Sequence, residues 1–392
     1  MRQRVAPLIT CFRQTPASEP PGLREQTATR VMFFVTGFAT AAWAALVPFA
    51  KGNTGVNDAG LGTLLLCLGG GALVAMPLTG VLTTRFGCRA VLTLTVLLFS
   101  GILPMLALVS DPWLLAGALL LLGVGLGTTD CAMNVQAILV EKAATRPIMS
   151  GFHGFYSIGG IAGALAMSGM MSLGLSPMTA SVMTAIGVVL LLARHINGLL
   201  TYANPAEGPA FAVPHGKVLT LGLICFALFL AEGTILDWSA VFLTEHRGMP
   251  EVRGGLGFAC FSATMTLGRM TGDKVVTRLG PHTVVVAGTL TAVLGILVAV
   301  GTPGWQSALL GYALIGAGCA NVVPIMFSAV GRQDSMPQAI AVPAVTTLGY
   351  VGILAGPATI GFIANASSLP IAFLFVAALL LAVAAASKTV KM

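Results

Sequence analysis

Asp130 stands inside an apolar run, Trp113–Val140, long enough to cross a membrane. A carboxylate at that depth costs about 3 kcal/mol on insertion scales, so such acids face a bundle interior or a water-filled path. Gly123, Gly127, Asp130 and Asn134 recur at i, i+4, i+7 and i+11, which is one face of a helix. Glycine admits a neighbouring helix, and the acid and amide can serve as a proton or substrate site; a buried structural hydrogen bond is the competing reading. Glu232 and Asp237 lie in a second apolar run. Five residues turn a helix by about 140° net and advance it about 7.5 Å, so the two acids do not share a face. Both are candidate proton carriers; a structural role for Glu232 and a solvated acid near an outer mouth for Asp237 compete with that. His153, Tyr156 and Ser157 form one polar face at i, i+3 and i+4. The imidazole titrates in the range a proton-coupled carrier uses, although a histidine bonded into a helix interface has the same spacing. Trp43 and Trp238 are candidate cavity walls, with core packing and interfacial anchoring as their alternatives. Arg269 reads as structural.

These residues sit in a chain of 392 residues that is 56% hydrophobic and 8% charged. An ordinary globular domain is about 25% charged, so this composition excludes a soluble fold and points to a polytopic membrane protein. Long uncharged runs mean helices rather than barrel strands. Most of the 48 glycines lie inside these runs, where they allow close helix packing. The net charge of +7 follows the topology below and is no nucleic-acid signal. The seven cysteines are scattered and include no CxxC pair, so neither a disulfide framework, a metal site nor a cofactor is implied. P-loop, HExxH and GxSxG motifs are absent, which argues against an internal ATPase and against an enzyme.

Twelve spans are expected, at 31–50, 59–82, 88–109, 113–140, 147–172, 178–197, 218–243, 255–276, 282–301, 306–330, 338–364 and 369–387. Residues 1–29 are polar and Pro-rich and read as a disordered cytoplasmic tail, with a second short tail at 388–392. The only long internal connection, 198–217, reads as a cytoplasmic linker between six-helix bundles at 30–197 and 218–387. With the N-terminus inside, external loops hold only Lys51, Arg247 and Arg253 of the 20 Lys and Arg residues, which puts both ends in the cytoplasm.

The halves repeat. A shift of 193 carries Thr84, Arg85 and Gly87 onto Thr277, Arg278 and Gly280, Gly123 and Gly125 onto Gly316 and Gly318, and Gly159 and Gly163 onto Gly352 and Gly356. The same shift carries Asp237 onto Ala44, and Glu141 onto Asp334. Six helices return the chain to its starting side, so the repeats are parallel, as in rocker-type carriers. Arg85 with Glu141, and Arg278 with Asp334, are the ion pairs this symmetry suggests at the cytoplasmic surface.

The stretch from Gly80 through Thr84, Arg85 and Gly87 to Arg89 resembles the loop 2–3 signature of the major facilitator superfamily, with Thr84 where that family usually has Asp. Within it, residues 151–160, 231–238 and 268–272 resemble the YbjJ-like branch, relatives of the fucose–proton symporters. Asp130 and Asn134 match the acid-x-x-x-Asn spacing of span four in fucose permeases. The family's span-one acid is replaced here by Ala44. The resemblance implies an all-α membrane protein of twelve helices in two pseudo-symmetric bundles, working by alternating access. Its loop 2–3 signature gives Gly80, Arg85, Gly87 and Arg89 as gating positions, to which the internal repeat adds Glu141, Arg278 and Asp334. The function expected is secondary transport of a small polar solute, sugar-like molecules included, coupled to protons, by a monomer in a bacterial inner membrane. Proton-driven efflux of amphipathic compounds and a non-transporting receptor or scaffold are the alternatives.

Overall fold

A computed structural model of the chain describes residues 20–203, 213–250 and 253–389. Among these, nearly everything is helical: α1 Leu23–Thr54, α2 Asp58–Met105, α3 Pro112–Ala143, α4 Met149–Ser172, α5 Pro177–His195, α6 Gly216–Val241, α7 Leu256–Leu279, α8 Pro281–Gly301, α9 Trp305–Cys319, α10 Val322–Arg332, α11 Gln338–Ala366 and α12 Leu369–Ala386. Ten helical segments are long and apolar enough to cross a membrane. The expected twelve differ from these ten for two reasons. α2 runs through two expected spans as one helix with a kink at Gly87. α7 carries Arg269, Asp273, Lys274 and Arg278 and falls outside the ten.

Contacts divide the chain into two units. One comprises the described residues within Met1–Ala143, Gly159–Ala212 and Pro337–Pro343; the other comprises those within Ala144–Ile158, Val213–Met336 and Ala344–Met392. The boundary therefore departs from the expected cut at 198–217: the first turns of α4 and of α11 each pack with the opposite half of the sequence. The tail is also shorter than expected. α1 starts at Leu23, where the Glu25 side chain accepts the Gly22 N–H at 2.8 Å and caps the first turn; residues 1–19 lie outside the described residues, as do 204–212 of the linker and 390–392 of the last tail.

The linker's start is built into the fold. Restarting a helix after Gly87 leaves the N–H groups of Cys88 and Arg89 without carbonyls one turn back. They donate to Tyr202 and Leu200 carbonyls, at 3.5 and 2.7 Å. The Arg89 side chain adds bonds to the Leu199 and Asn197 carbonyls, at 2.9 and 3.0 Å, and the Gln136 side chain accepts the Leu200 N–H at 3.1 Å. Leu199 and Leu200 are buried accordingly.

The sequence repeat has a geometric counterpart. Gly87 and Gly280 adopt the same left-handed backbone, φ/ψ 78/161 and 79/150. A methyl on Gly123 would strike the Leu68 carbonyl, and one on Gly316 would strike the Phe261 carbonyl, a pair of neighbours also 193 apart. Gly159 abuts Phe34 while Gly352 abuts Phe226, a shift of 192 for the neighbours. α1 and α6 thus match with one residue of slip, which corrects the pairing of Asp237 with Ala44: Asp237 corresponds to Ala45 and Glu232 to Thr40.

These contacts predict substitutions of opposite sign. Gly→Ala in an open helix position gains up to about 1 kcal/mol of propensity. A methyl on Gly117 in α3 would meet nothing within 4 Å, so Gly117→Ala will leave the melting temperature unchanged or raise it. Gly123→Ala and Gly316→Ala force backbones apart and will each lower it, by the equivalent of at least ~2 kcal/mol. Thermal melting of the purified protein in one detergent checks this; equal shifts at all three sites would contradict the packing.

Candidate functional site

Arg269 lies on α7 with its side chain 8% accessible. Its guanidinium donates in three directions: to Glu232 Oε1 on α6 at 3.3 Å, to Ser157 Oγ on α4 at 3.0 Å, and through Nε to the Ala320 carbonyl at 3.3 Å. The carbonyl is available for a reason written in the sequence. In a continuous helix it would accept from residue 324, which is Pro324 and has no N–H. The apolar segment 305–332 accordingly breaks between α9 and α10 at Ala320 and Asn321. Breaks of this kind at membrane depth are tolerated where another group takes up the freed backbone. Asn321 is itself 8% exposed, and its Nδ2 donates to the Gly268 carbonyl at 3.1 Å, fastening the break to α7.

Below this cluster, Asp273 receives the Gly151 N–H on both carboxylate oxygens, at 3.2 and 3.1 Å. Gly151 is in the first turn of α4, where backbone N–H groups lack intrahelical acceptors and favour an anion. Gly154, packed on Met270, and Gly272, packed on Asn321 and Ser150, let α4 and α7 approach at this point. Further along, α4 leaves α7, and Gly159 and Gly163 pack on Phe34 and Phe38 of α1.

The expected site residues fall into three environments. Glu232 belongs to the charged cluster. His153 presents its ring to Phe327 of α10, with centroids 5.8 Å apart, so it faces protein, and Ser157 donates to its carbonyl at 3.4 Å. Tyr156 is half-buried on the same helix. Asp130 forms the second environment: it is half-buried on α3, and its carboxylate has no hydrogen-bond or ionic partner among the described residues. Asn134 is buried and turned on its own helix, donating to the Asp130 backbone carbonyl at 2.9 Å; its Oδ1 is unsatisfied. The face drawn through Gly123, Gly127, Asp130 and Asn134 is divided, since both glycines pack on α2.

The remaining residues are structural or exposed. Trp43 is 5% exposed and sits in the core. Trp238 packs over Gly361 of α11, and Asp237, one residue before it, is exposed. Gly80 lies against the Ala339 carbonyl and Pro343 at the start of α11. Arg85 is exposed over the Phe86 ring at 5.3 Å, while Gly87 and Arg89 hold the segment 196–202. Glu141 is half-buried and Arg278 exposed. Asp334 is bound by Lys217 at 2.7 Å, a partner the repeat did not suggest; at 83% exposure of the carboxylate such a pair contributes little. Arg269, Ser157 and Asp273 were not anticipated as site residues. Pro324 inside an apolar run was the available signal for the break, and an arginine in α7 with an acid in α6 was the signal for the pair.

Residues 31–340 match the family described as Major Facilitator Superfamily. An uncharacterized MFS-type transporter of Yersinia pestis is 51% identical over 371 residues, covering 94% of this chain and 97% of the relative. The E. coli fucose:proton symporter has the same fold, with TM-score 0.74 and 16% identity over 93% of this chain and 98% of that one. A human organic anion transporter superposes with TM-score 0.75 and 17% identity, covering 94% of this chain and all (100%) of the other.

Proposed function

We propose that this chain, which belongs to the Major Facilitator Superfamily, is a proton-coupled carrier of a small polar solute, sugar-like molecules included. The observation that carries the reading is Asp130, an acid at membrane depth with no partner among the described residues. An unpaired carboxylate there is costly when charged and far less so when protonated, so taking up and giving up a proton is the change of state it is suited to. Glu232, held by Arg269, is the second proton-accepting group. Likeness to the fucose:proton symporter supports a proton and a sugar as the pair carried. On this reading the residues near Arg85 and Arg278 face a bacterial cytoplasm, as the Lys and Arg asymmetry implies, and their contacts bias one open state against the other.

Efflux of amphipathic compounds is the second reading. It is favoured by an apolar pocket of about 320 Å³ in the first unit, lined by Phe34, Phe38, Met170, Met183 and Leu191. Proteoliposomes separate the two. At least one class of labelled small polar solute, neutral monosaccharides or sugar acids, should accumulate above equilibrium only when the outside is acidic. Extrusion of a lipophilic dye under a proton gradient, with no sugar uptake, would favour efflux; no gradient-driven flux of either kind would remove proton coupling.

A further inference from the structure

We propose that the Glu232–Arg269 pair is a recognition site for a sugar acid, a polyhydroxylated carboxylate whose anionic group takes the place of Glu232 on Arg269. The inference rests on the proton-coupled reading above and names its substrate class.

Arg269 keeps its charge at any physiological pH, whereas Glu232 can lose its own by taking a proton. A guanidinium inside the membrane needs an anion at all times. When Glu232 is protonated, that position opens. The present contact leaves room for a better one. Glu232 reaches a single terminal nitrogen at 3.3 Å through one oxygen, while a bound carboxylate can engage both terminal nitrogens at once, the stronger fork arrangement. Three of the five guanidinium N–H groups are committed among the described residues, which leaves one on each terminal nitrogen. The Ala320 carbonyl and Ser157 hydroxyl hold the group in place when Glu232 lets go, so the fork is preorganised.

The remaining surroundings suit hydroxyls. His153 and Tyr156 occupy the α4 face that leads to Ser157, and His153 lies within electrostatic reach of Arg269. Asp273 is committed to the first turn of α4. Cys225 of α6 and Cys319 of α9 lie within reach of Glu232. From α10 the side chain facing His153 is Phe327. Tyr350 is the titratable group on α11. Among these, Glu232 is the acid that a carboxylate ligand can replace without leaving a charge unmatched. The pair is neutral when empty, and it is neutral again with Glu232 protonated and a carboxylate bound. With a further proton on Asp130, one cycle carries two protons per carboxylate.

The test compares D-glucuronate and D-galacturonate with D-glucose and D-galactose, which differ only in bearing CH₂OH for carboxylate. Binding to the purified full-length chain is measured calorimetrically between pH 5 and 8, where the uronates stay ionised. The uronates should bind and the hexoses should not. Uronate affinity should fall as pH rises, because Glu232 then reclaims Arg269. Glu232→Gln should hold uronate affinity at its low-pH value throughout. Arg269→Gln should weaken uronate binding by about 100-fold. Should Arg269→Gln fail to fold, the double variant Glu232→Gln with Arg269→Gln, which removes both charges together, should fold and still not bind uronate. The inference is overturned by hexose binding equal to that of uronates, by uronate affinity that survives loss of Arg269, by an unchanged pH profile in Glu232→Gln, or by no uronate binding at all. Proton-driven uptake of a neutral sugar with uronates ignored would overturn this inference and leave the carrier reading standing.

Discussion

Replacing Arg269 by alanine while Glu232 remains will lower the stability of the second unit by about 3–5 kcal/mol, the usual effect of breaking a buried ion pair from one side. The loss comes chiefly from what is left behind. Glu232 is 16% accessible and would keep a carboxylate with no counter-ion, and Ser157 and the Ala320 carbonyl would lose their donor. Removing both charges, as in Glu232→Gln with Arg269→Gln, leaves neutral amides that can bond to one another and should recover at least half of the loss. Melting temperatures of the single and double variants in the same detergent test this. A single variant that melts like the parent would mean that the cluster contributes nothing to stability and that Arg269 is held for other reasons.

Asp130→Asn will abolish gradient-driven accumulation and leave counterflow exchange intact. Asparagine keeps the size and hydrogen-bonding capacity of the side chain but cannot titrate. Counterflow needs a loaded carrier that reorients, and it does not need a proton to be released on one side only. The mutation should be nearly silent for folding, because the carboxylate has no partner among the described residues to lose. Full accumulation by the variant would show that the driving proton travels elsewhere, and Glu232→Gln is then the informative comparison.

The fold was readable from the sequence because its signals are long. Uncharged runs of some twenty residues, glycines matched at a fixed spacing and a lopsided distribution of Lys and Arg each point to the same architecture. The site was readable only in part, because its chemistry depends on which of several helices meet. Glu232 was identified from its depth, but its partner Arg269 is 37 residues away on another helix, and no periodicity connects them. Asn134 shares a sequence spacing with Asp130 yet spends its donor on a backbone carbonyl. Asp237 and Trp238 sit within two turns of Glu232 and face elsewhere, as expected from a helix that rotates about 100° per residue. The repeat also misled in one place: the shift of 193 holds for Gly123 with Gly316 and slips to 192 between α1 and α6, which only the contacts of Gly159 and Gly352 reveal.

The carbonyl that seats Arg269 has an evolutionary consequence. It is a main-chain group, so no point mutation at Ala320 can delete it. It is open to the arginine because Pro324 has no hydrogen to offer it, which moves the heritable control of the contact four residues downstream. A lineage can therefore exchange Glu232 or Ser157 and alter what the arginine meets while its anchorage persists. Selection for a new solute has side chains to vary at this site and one fixed point around which to vary them.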